Sequence, residues 1–113
     1  MYKLAIDDVV EVPVKFTLKA GKTNKQFACV LIAKRMPQDE ITERLQEVEF
    51  KYVDFMLSTD LVTDWKDQHL VLTADGTPAE FSEEAFALML KTQGVAQVCF
   101  NAYQKEAGAK EKN

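Results

Sequence analysis

The feature that most constrains this fold is a strict alternation of apolar and polar positions near the start of the chain. The apolar positions are Val10, Val12, Val14, Phe16 and Leu18. A period of two sustained from residue 10 to residue 19 predicts a β-strand with one buried face. Residues 20–24 contain Gly21 and predict a hairpin loop, and residues 26–33 predict the returning strand.

The returning strand is apolar on both faces, which a simple hairpin does not explain. Cys29 and Leu31 face one way, whereas Val30 and Ile32 face the other. A two-stranded ribbon covered on one side leaves its second face in water and is only marginally stable. We therefore expect a third strand with its packing, or a second subunit, to cover Val30 and Ile32. Pro13 lacks a backbone donor and predicts an edge strand or a bulge.

A long helix is predicted after Pro37, with Asp39 as its N-cap and its end at about Thr59. It carries two apolar stripes at helical spacing. The first comprises Ile41, Leu45, Val48, Tyr52, Phe55 and Met56, and the second comprises Phe50, Val53, Leu57 and Leu61. So wide an apolar surface predicts burial on two sides. It is typical of an ordinary core helix, and the alternative is a groove for a partner or a seam for self-association.

The rest of the chain predicts short elements around a polar excursion. Residues 61–65 predict a further helical turn, and Asp75 with Gly76 predicts a tight turn. Ser82 is a suitable N-cap for a helix that ends near Gly94, and a last helix continues to about Tyr103. Strands precede helices, so the predicted class is α+β: an N-terminal antiparallel hairpin, a long helix, a loop excursion and two shorter C-terminal helices. We expect residues 1–106 to form one domain and residues 107–113 to be a frayed tail.

Charge is distributed unevenly along the chain. Residues 1–35 carry seven basic and three acidic side chains, residues 36–90 carry three and thirteen, and residues 91–113 carry four and two. The acidic middle is typical of a solvated surface, and the alternative is attraction to copies of the chain or to a partner of the opposite pattern. An acidic middle argues against binding nucleic acid, and the basic hairpin has few exposed aromatic residues to stack on bases.

Groupings typical of catalysis and metal binding are missing from the sequence. His69 is the only histidine, so Ser/His and Cys/His pairs are improbable, and two distant cysteines do not make a zinc site. We expect Cys29 and Cys99 to be buried free thiols; a disulfide requires the hairpin to meet the last helix. We therefore expect no enzyme, no cofactor and no metal.

No apolar run is long enough to span a bilayer, and the first eight residues lack the apolar core of a signal peptide. The expected location is the cytoplasm, with no membrane partner.

A string of residues in the second half of the chain resembles the tail assembly chaperones of tailed bacteriophages. The matching residues are Trp65, Asp75-Gly76, Pro78, Phe81-Ser82-Glu83-Glu84, Leu88, Leu90, Gly94-Val95 and Ala102-Tyr103. The similarity covers roughly residues 48–104. The segment 66–74 is longer than that family's pattern between the Trp and the Asp-Gly, which leaves the conformation of this loop open.

The resemblance implies a non-enzymatic chaperone that binds the tape-measure protein, keeps it soluble during tail morphogenesis in the bacterial host cytoplasm and helps to recruit tail-tube subunits. The second helix stripe and the neighbouring Trp give the predicted partner surface, for which the competing interpretation is core. Its residues are Phe50, Val53, Leu57, Leu61 and Trp65. We also expect a homo-oligomer formed through the strand pair. The alternative function is a structural virion protein, such as a minor tail or head–tail joining subunit.

Overall fold

The computed structural model describes residues 1–58 and 60–111. Its elements, in chain order, are β1 (Val9–Ala20), β2 (Thr23–Lys34), α1 (Gln38–Leu45), α2 (Tyr52–Met56), β3 (Val62–Lys66), α3 (Glu83–Leu90) and α4 (Val95–Ala107). The three strands form one antiparallel sheet in the order β1-β2-β3. The predicted α+β class with an N-terminal hairpin is therefore confirmed.

The hairpin is longer and tighter than predicted. β1 and β2 pair without interruption from Val9 opposite Lys34 to Ala20 opposite Thr23. Two residues turn the chain, and Gly21 takes a positive φ of 66°, which glycine adopts without steric cost. Pro13 lies in β1, at the edge of the sheet, as predicted.

A third strand replaces the helical turn predicted over residues 61–65. β3 pairs with β2 through Trp65 opposite Leu31 and Lys66 opposite Val30. Val62, Thr63 and Trp65 are β-branched or aromatic residues, which suit a strand, so the helical prediction was wrong. β3 makes residues 30–33 of β2 central in the sheet, so Val30 and Ile32 have a neighbouring strand on each side.

The outer face of the sheet is covered partly by charged side chains. Val30 and Ile32 are half-buried there. Lys66 on β3 forms an ion pair with Glu11 on β1, with 3.4 Å between Nζ and Oε2, and so spans β2. The aliphatic stems of such long side chains shield apolar surface while the charges stay in water.

The long helix predicted from Asp39 is two short helices, so this part of the prediction was wrong. α1 begins at Gln38 with Pro37 at its N-cap position, and Asp39 lies inside the helix. α1 ends at Leu45, and α2 begins at Tyr52; the predicted end at Thr59 lies outside the described residues. A straight helix cannot turn two wide apolar stripes toward one core. The break lets α2 bury Phe55 and Met56, while Val48, between the helices, is fully exposed.

The C-terminal helices follow their local signals. The Ser82 hydroxyl accepts a hydrogen bond from the Ala85 amide at 3.0 Å and caps α3. Gly94 takes a φ of 82° between α3 and α4. α4 packs across β1 and α2 and contributes Val95, Cys99 and Tyr103 to the centre of the core. α4 continues to Ala107, and fraying of residues 107–113 stays a prediction, with Lys112 and Asn113 outside the described residues. In the described part of the chain, no helix is long and apolar enough to cross a membrane.

Candidate partner-binding trough

Two shallow grooves, which we together call the trough, are lined by residues of α2, α3 and their flanks, and each helix contributes one side-chain pair to them. Val53 and Leu57 lie four positions apart on α2 and at its C-cap, and the Leu57 amide donates to the Val53 carbonyl at 2.9 Å. Phe86 and Leu90 have the same spacing on α3. Residues four apart lie on one side of a helix, so each helix turns one side toward the trough.

The two grooves of the trough differ in size and share no lining residue. The Val53 groove is a cavity of about 580 Å³ at the start of α2, lined by Phe50, Tyr52, Val53, Leu90 and the link to α4. The Leu57 groove is a cavity of about 350 Å³ at the other end of α2. It is lined by Met56, Leu57, Val62, Phe81 and Phe86, with polar residues at its rim. In both grooves half-buried apolar side chains of α2 and its flanks meet solvent, whereas Phe86 and Leu90 of α3 are buried.

A network of aromatic rings supports the Val53 groove from below. The Phe50 ring packs edge-on against Tyr52 at 5.2 Å and Phe100 at 6.0 Å between centroids. Phe100 packs edge-on against buried Phe55 at 5.0 Å. Edge-to-face pairs in this range are favourable and hold each ring in place. These ring contacts therefore fix the wall of the groove.

The two ends of the trough carry opposite charge. Lys51 and Lys91 lie at the Val53 groove. Asp60 and Glu83 lie at the Leu57 groove. An apolar floor with a basic end and an acidic end suits an amphipathic helix docked in one direction.

The five predicted partner residues do not share one face. Phe50 and Val53 line the Val53 groove, and Leu57 lines the Leu57 groove; all three are half-buried. Leu61 and Trp65 are 3% and 7% exposed and belong to the core. Leu61 and Trp65 differ from the other three residues because neither lies on a continuation of α2: Leu61 precedes β3, and Trp65 lies within it. For the first three residues, binding a partner stays a prediction.

Trp65 instead anchors the long excursion between β3 and α3. Its indole Nε1 donates to the Ala79 carbonyl at 3.2 Å, and its ring packs edge-on against Phe81 at 5.4 Å. Gln68 is buried beside it and satisfies its whole amide: Nε2 donates to the Val71 and Ala79 carbonyls, and Oε1 accepts from the Leu70 and Val71 amides. This loop is thus held by its own hydrogen bonds. Its tip is the predicted turn, where Gly76 has a φ of 86° and the Gly76 amide donates to Thr73.

An open cavity of about 610 Å³ lies beside this loop and has several acidic side chains in its lining. Its lining includes Asp64, Asp67, Glu80, His69 and Trp65. Among the described residues, no three His, Cys, Asp or Glu side chains are grouped closely enough to hold a metal ion.

Buried polar groups elsewhere in the core serve packing. The Tyr103 hydroxyl accepts from the Met36 amide at 2.8 Å and donates to the Lys34 carbonyl at 2.7 Å. Burial raises its pKa despite the Met36 hydrogen bond. Cys29 and Cys99 are buried free thiols, as predicted. Burial raises the pKa of Cys29 to about 11 and that of Cys99 to about 12, so neither is a thiolate near neutral pH.

Sequence reasoning missed the contribution of α3 to the trough. Phe86 and Leu90 read as ordinary core positions of a capped helix, and they are indeed 2% and 1% exposed. They contribute to the trough because, with the break before α2, Leu57 lines the same groove as Phe86 and Val53 lines the same groove as Leu90. No proline or glycine lies between Leu45 and Tyr52, so the sequence carries no helix-breaking residue that would predict the break. No family model, no curated protein and no solved structure matches this chain.

Proposed function

We propose that this chain is a tail assembly chaperone of a tailed bacteriophage that binds the tape-measure protein and keeps it soluble, without enzymatic activity. The observation that carries the proposal is the trough, in which Val53 and Leu57 expose apolar surface between two helices. The resemblance of residues 48–104 to that family supplies the identity of the client. Recruitment of tail-tube subunits and self-association through the strand pair belong to the same proposal.

The client segment that suits the trough is an amphipathic helix. Its apolar side would cover Val53 and Leu57, and its acidic and basic ends would meet the lysine and carboxylate ends of the trough. The resemblance implies a client that is long and hydrophobic, and such a client needs cover for its apolar surface in water. The acidic surface of the chaperone keeps the complex dispersed.

Co-expression with the tape-measure protein of the same phage tests the proposal. The chain should raise the soluble fraction of the client, and Val53→Asp or Leu57→Asp should remove that effect because each places a charge in the trough. Val48→Asp and Leu72→Asp are matched controls, since Val48 and Leu72 are 101% and 50% exposed and line neither groove. The controls should act as the unmodified chain does.

Two results would contradict the proposal. One is a client whose solubility does not respond to the chain. The other is stoichiometric presence of the chain in purified virions, measured by mass spectrometry, which is the outcome expected of a structural tail or head–tail joining protein.

A further inference from the structure

The far half of the hairpin extends beyond the part of the sheet that β3 joins. β3 pairs only with Val30 to Ala33 of β2, so the edge of β2 from Thr23 to Ala28 has no strand beside it among the described residues. We call residues 23–28 the free edge. β1 carries Pro13, which has no backbone donor for a further strand, whereas the free edge contains no proline. An unpaired edge of this kind is a template for one more strand.

The surface beside the free edge is apolar on one face and basic throughout. Phe16 and Phe27 lie opposite each other and stack at 5.9 Å between centroids, and both are half-buried. The ammonium group of Lys25 lies 5.7 Å from the centre of the Phe27 ring. Lysines at positions 15, 19, 22 and 25 lie on this part of the hairpin, and residues 12–38 contain no acidic side chain. An added strand should therefore be apolar on one face and acidic near the turn.

The leading segment, residues 1–8, has that chemistry. It forms no helix or strand, and its side chains alternate. Tyr2, Leu4 and Ile6 are 100%, 74% and 58% exposed, and Asp7 and Asp8 follow them. Eight extended residues reach about 26 Å, which is enough to cover the six residues of the free edge.

Charge and side-chain direction select one register. Residues directly opposite each other in an antiparallel pair point to the same face. Leu4 opposite Phe27 and Ile6 opposite Lys25 place both apolar side chains on the Phe16–Phe27 face. This register also brings Asp7 and Asp8 to the lysine-rich turn. A parallel arrangement brings Lys3 to that turn instead, where like charges repel.

The leading segment cannot reach this position on its own chain. The Asp8 carbonyl accepts from the Arg35 amide at 2.9 Å, which fixes Asp8 at the end of β2 away from the turn. β2 has twelve residues and so is about 40 Å long, and the register requires Asp8 at its other end. We propose that the leading segment of one copy pairs as an antiparallel strand with the free edge of a second copy. This proposal does not depend on client binding.

Cysteine pairing between copies tests the register. Ala5→Cys combined with Gln26→Cys places two thiols opposite each other across the proposed pair, and mild oxidation should give covalent dimers. Ala5→Cys combined with Asn101→Cys is the matched control, because Asn101 is exposed on α4. Native Cys29 and Cys99 are buried and should not react. Equal cross-linking in both variants would overturn the proposal.

Light scattering coupled to gel filtration tests the association itself. The unmodified chain should have a mass above that of one copy, and Leu4→Asp with Ile6→Asp should reduce it to one copy while circular dichroism stays unchanged. Val48→Asp is again the control and should leave the mass as it was. A monomer mass for the unmodified chain at high micromolar concentration would overturn the proposal, as would an assembly that survives the double substitution.

Discussion

The Tyr103 hydroxyl offers the sharpest test of how α4 is held to the sheet. Tyr103 is fully buried, and its hydroxyl joins α4 to the segment between β2 and α1 by accepting from the Met36 amide and donating to the Lys34 carbonyl. Tyr103→Phe keeps the ring and removes both hydrogen bonds. Each is worth about 1 kcal/mol net, so the substitution should lower the free energy of unfolding by about 2 kcal/mol. For a domain of this size, that corresponds to a fall in Tm of about 8 °C.

Urea unfolding followed by circular dichroism measures this loss directly. The midpoint should fall while the slope with denaturant stays unchanged, because the surface exposed on unfolding is the same. Tyr2→Phe is the matched control, since the Tyr2 side chain is fully exposed, and it should leave the midpoint in place. A loss below about 0.5 kcal/mol for Tyr103→Phe would refute the reasoning, because it would mean that water satisfies both backbone groups without cost.

Three further predictions concern the cap, the thiols and the loop. Ser82→Ala removes the acceptor for the Ala85 amide and should lower the free energy of unfolding by about 1 kcal/mol, with Ser82→Thr close to the unmodified chain in the same urea assay. The raised pKa values of Cys29 and Cys99 predict that the native state binds more protons than the unfolded state above about pH 9. Stability should therefore fall as pH rises toward about 12, and Cys99→Ala should flatten that fall. If the free energy of unfolding of Cys99→Ala fell with rising pH as steeply as that of the unmodified chain, this prediction would be contradicted. Hydrogen bonds from Thr73 and Thr77 lower the pKa of Asp75. The ionised Asp75 carboxylate therefore stabilises the folded chain above the ordinary pKa of an Asp, and this stabilisation is lost as pH falls through the lowered pKa. Asp75→Asn should reduce the loss in free energy of unfolding as pH falls. The same loss in the variant and the unmodified chain would argue against the Thr73 contact.

The sequence predicts the hairpin and the helix capped by Ser82 well because their signals are local. A period of two, a Gly in a tight turn and a Ser before two carboxylates each act within a few residues. The same applies to the Asp75-Gly76 turn, whose hydrogen bonds close within five residues.

The break before α2 and the strand β3 depend on distant contacts instead. No residue between Leu45 and Tyr52 forbids a helix. The helix is interrupted there because Phe50 and Phe55 both pack against Phe100, about fifty residues away in the sequence. β3 is a five-residue run whose pattern does not separate strand from helix, and pairing with β2 decides it.

The candidate site was predicted in part, from a premise that the structure corrects. Phe50, Val53 and Leu57 do line grooves, but they do so on a short α2 and its flanks rather than along one long helix. Helical spacing predicted Leu61 on the same face, with Trp65 as its neighbour, but both residues lie in the core, Leu61 just before β3 and Trp65 within it. The side of the trough formed by α3 follows from packing that no local pattern shows.

Amide hydrogen exchange of the chain, alone and in complex with co-expressed tape-measure protein, tests the central claim most directly. Binding in the trough predicts slower exchange in residues 50–57 and 81–91 when the client is present, with the Asp75 loop unchanged. A complex in which exchange in these two segments is the same as in the free chain would contradict the account.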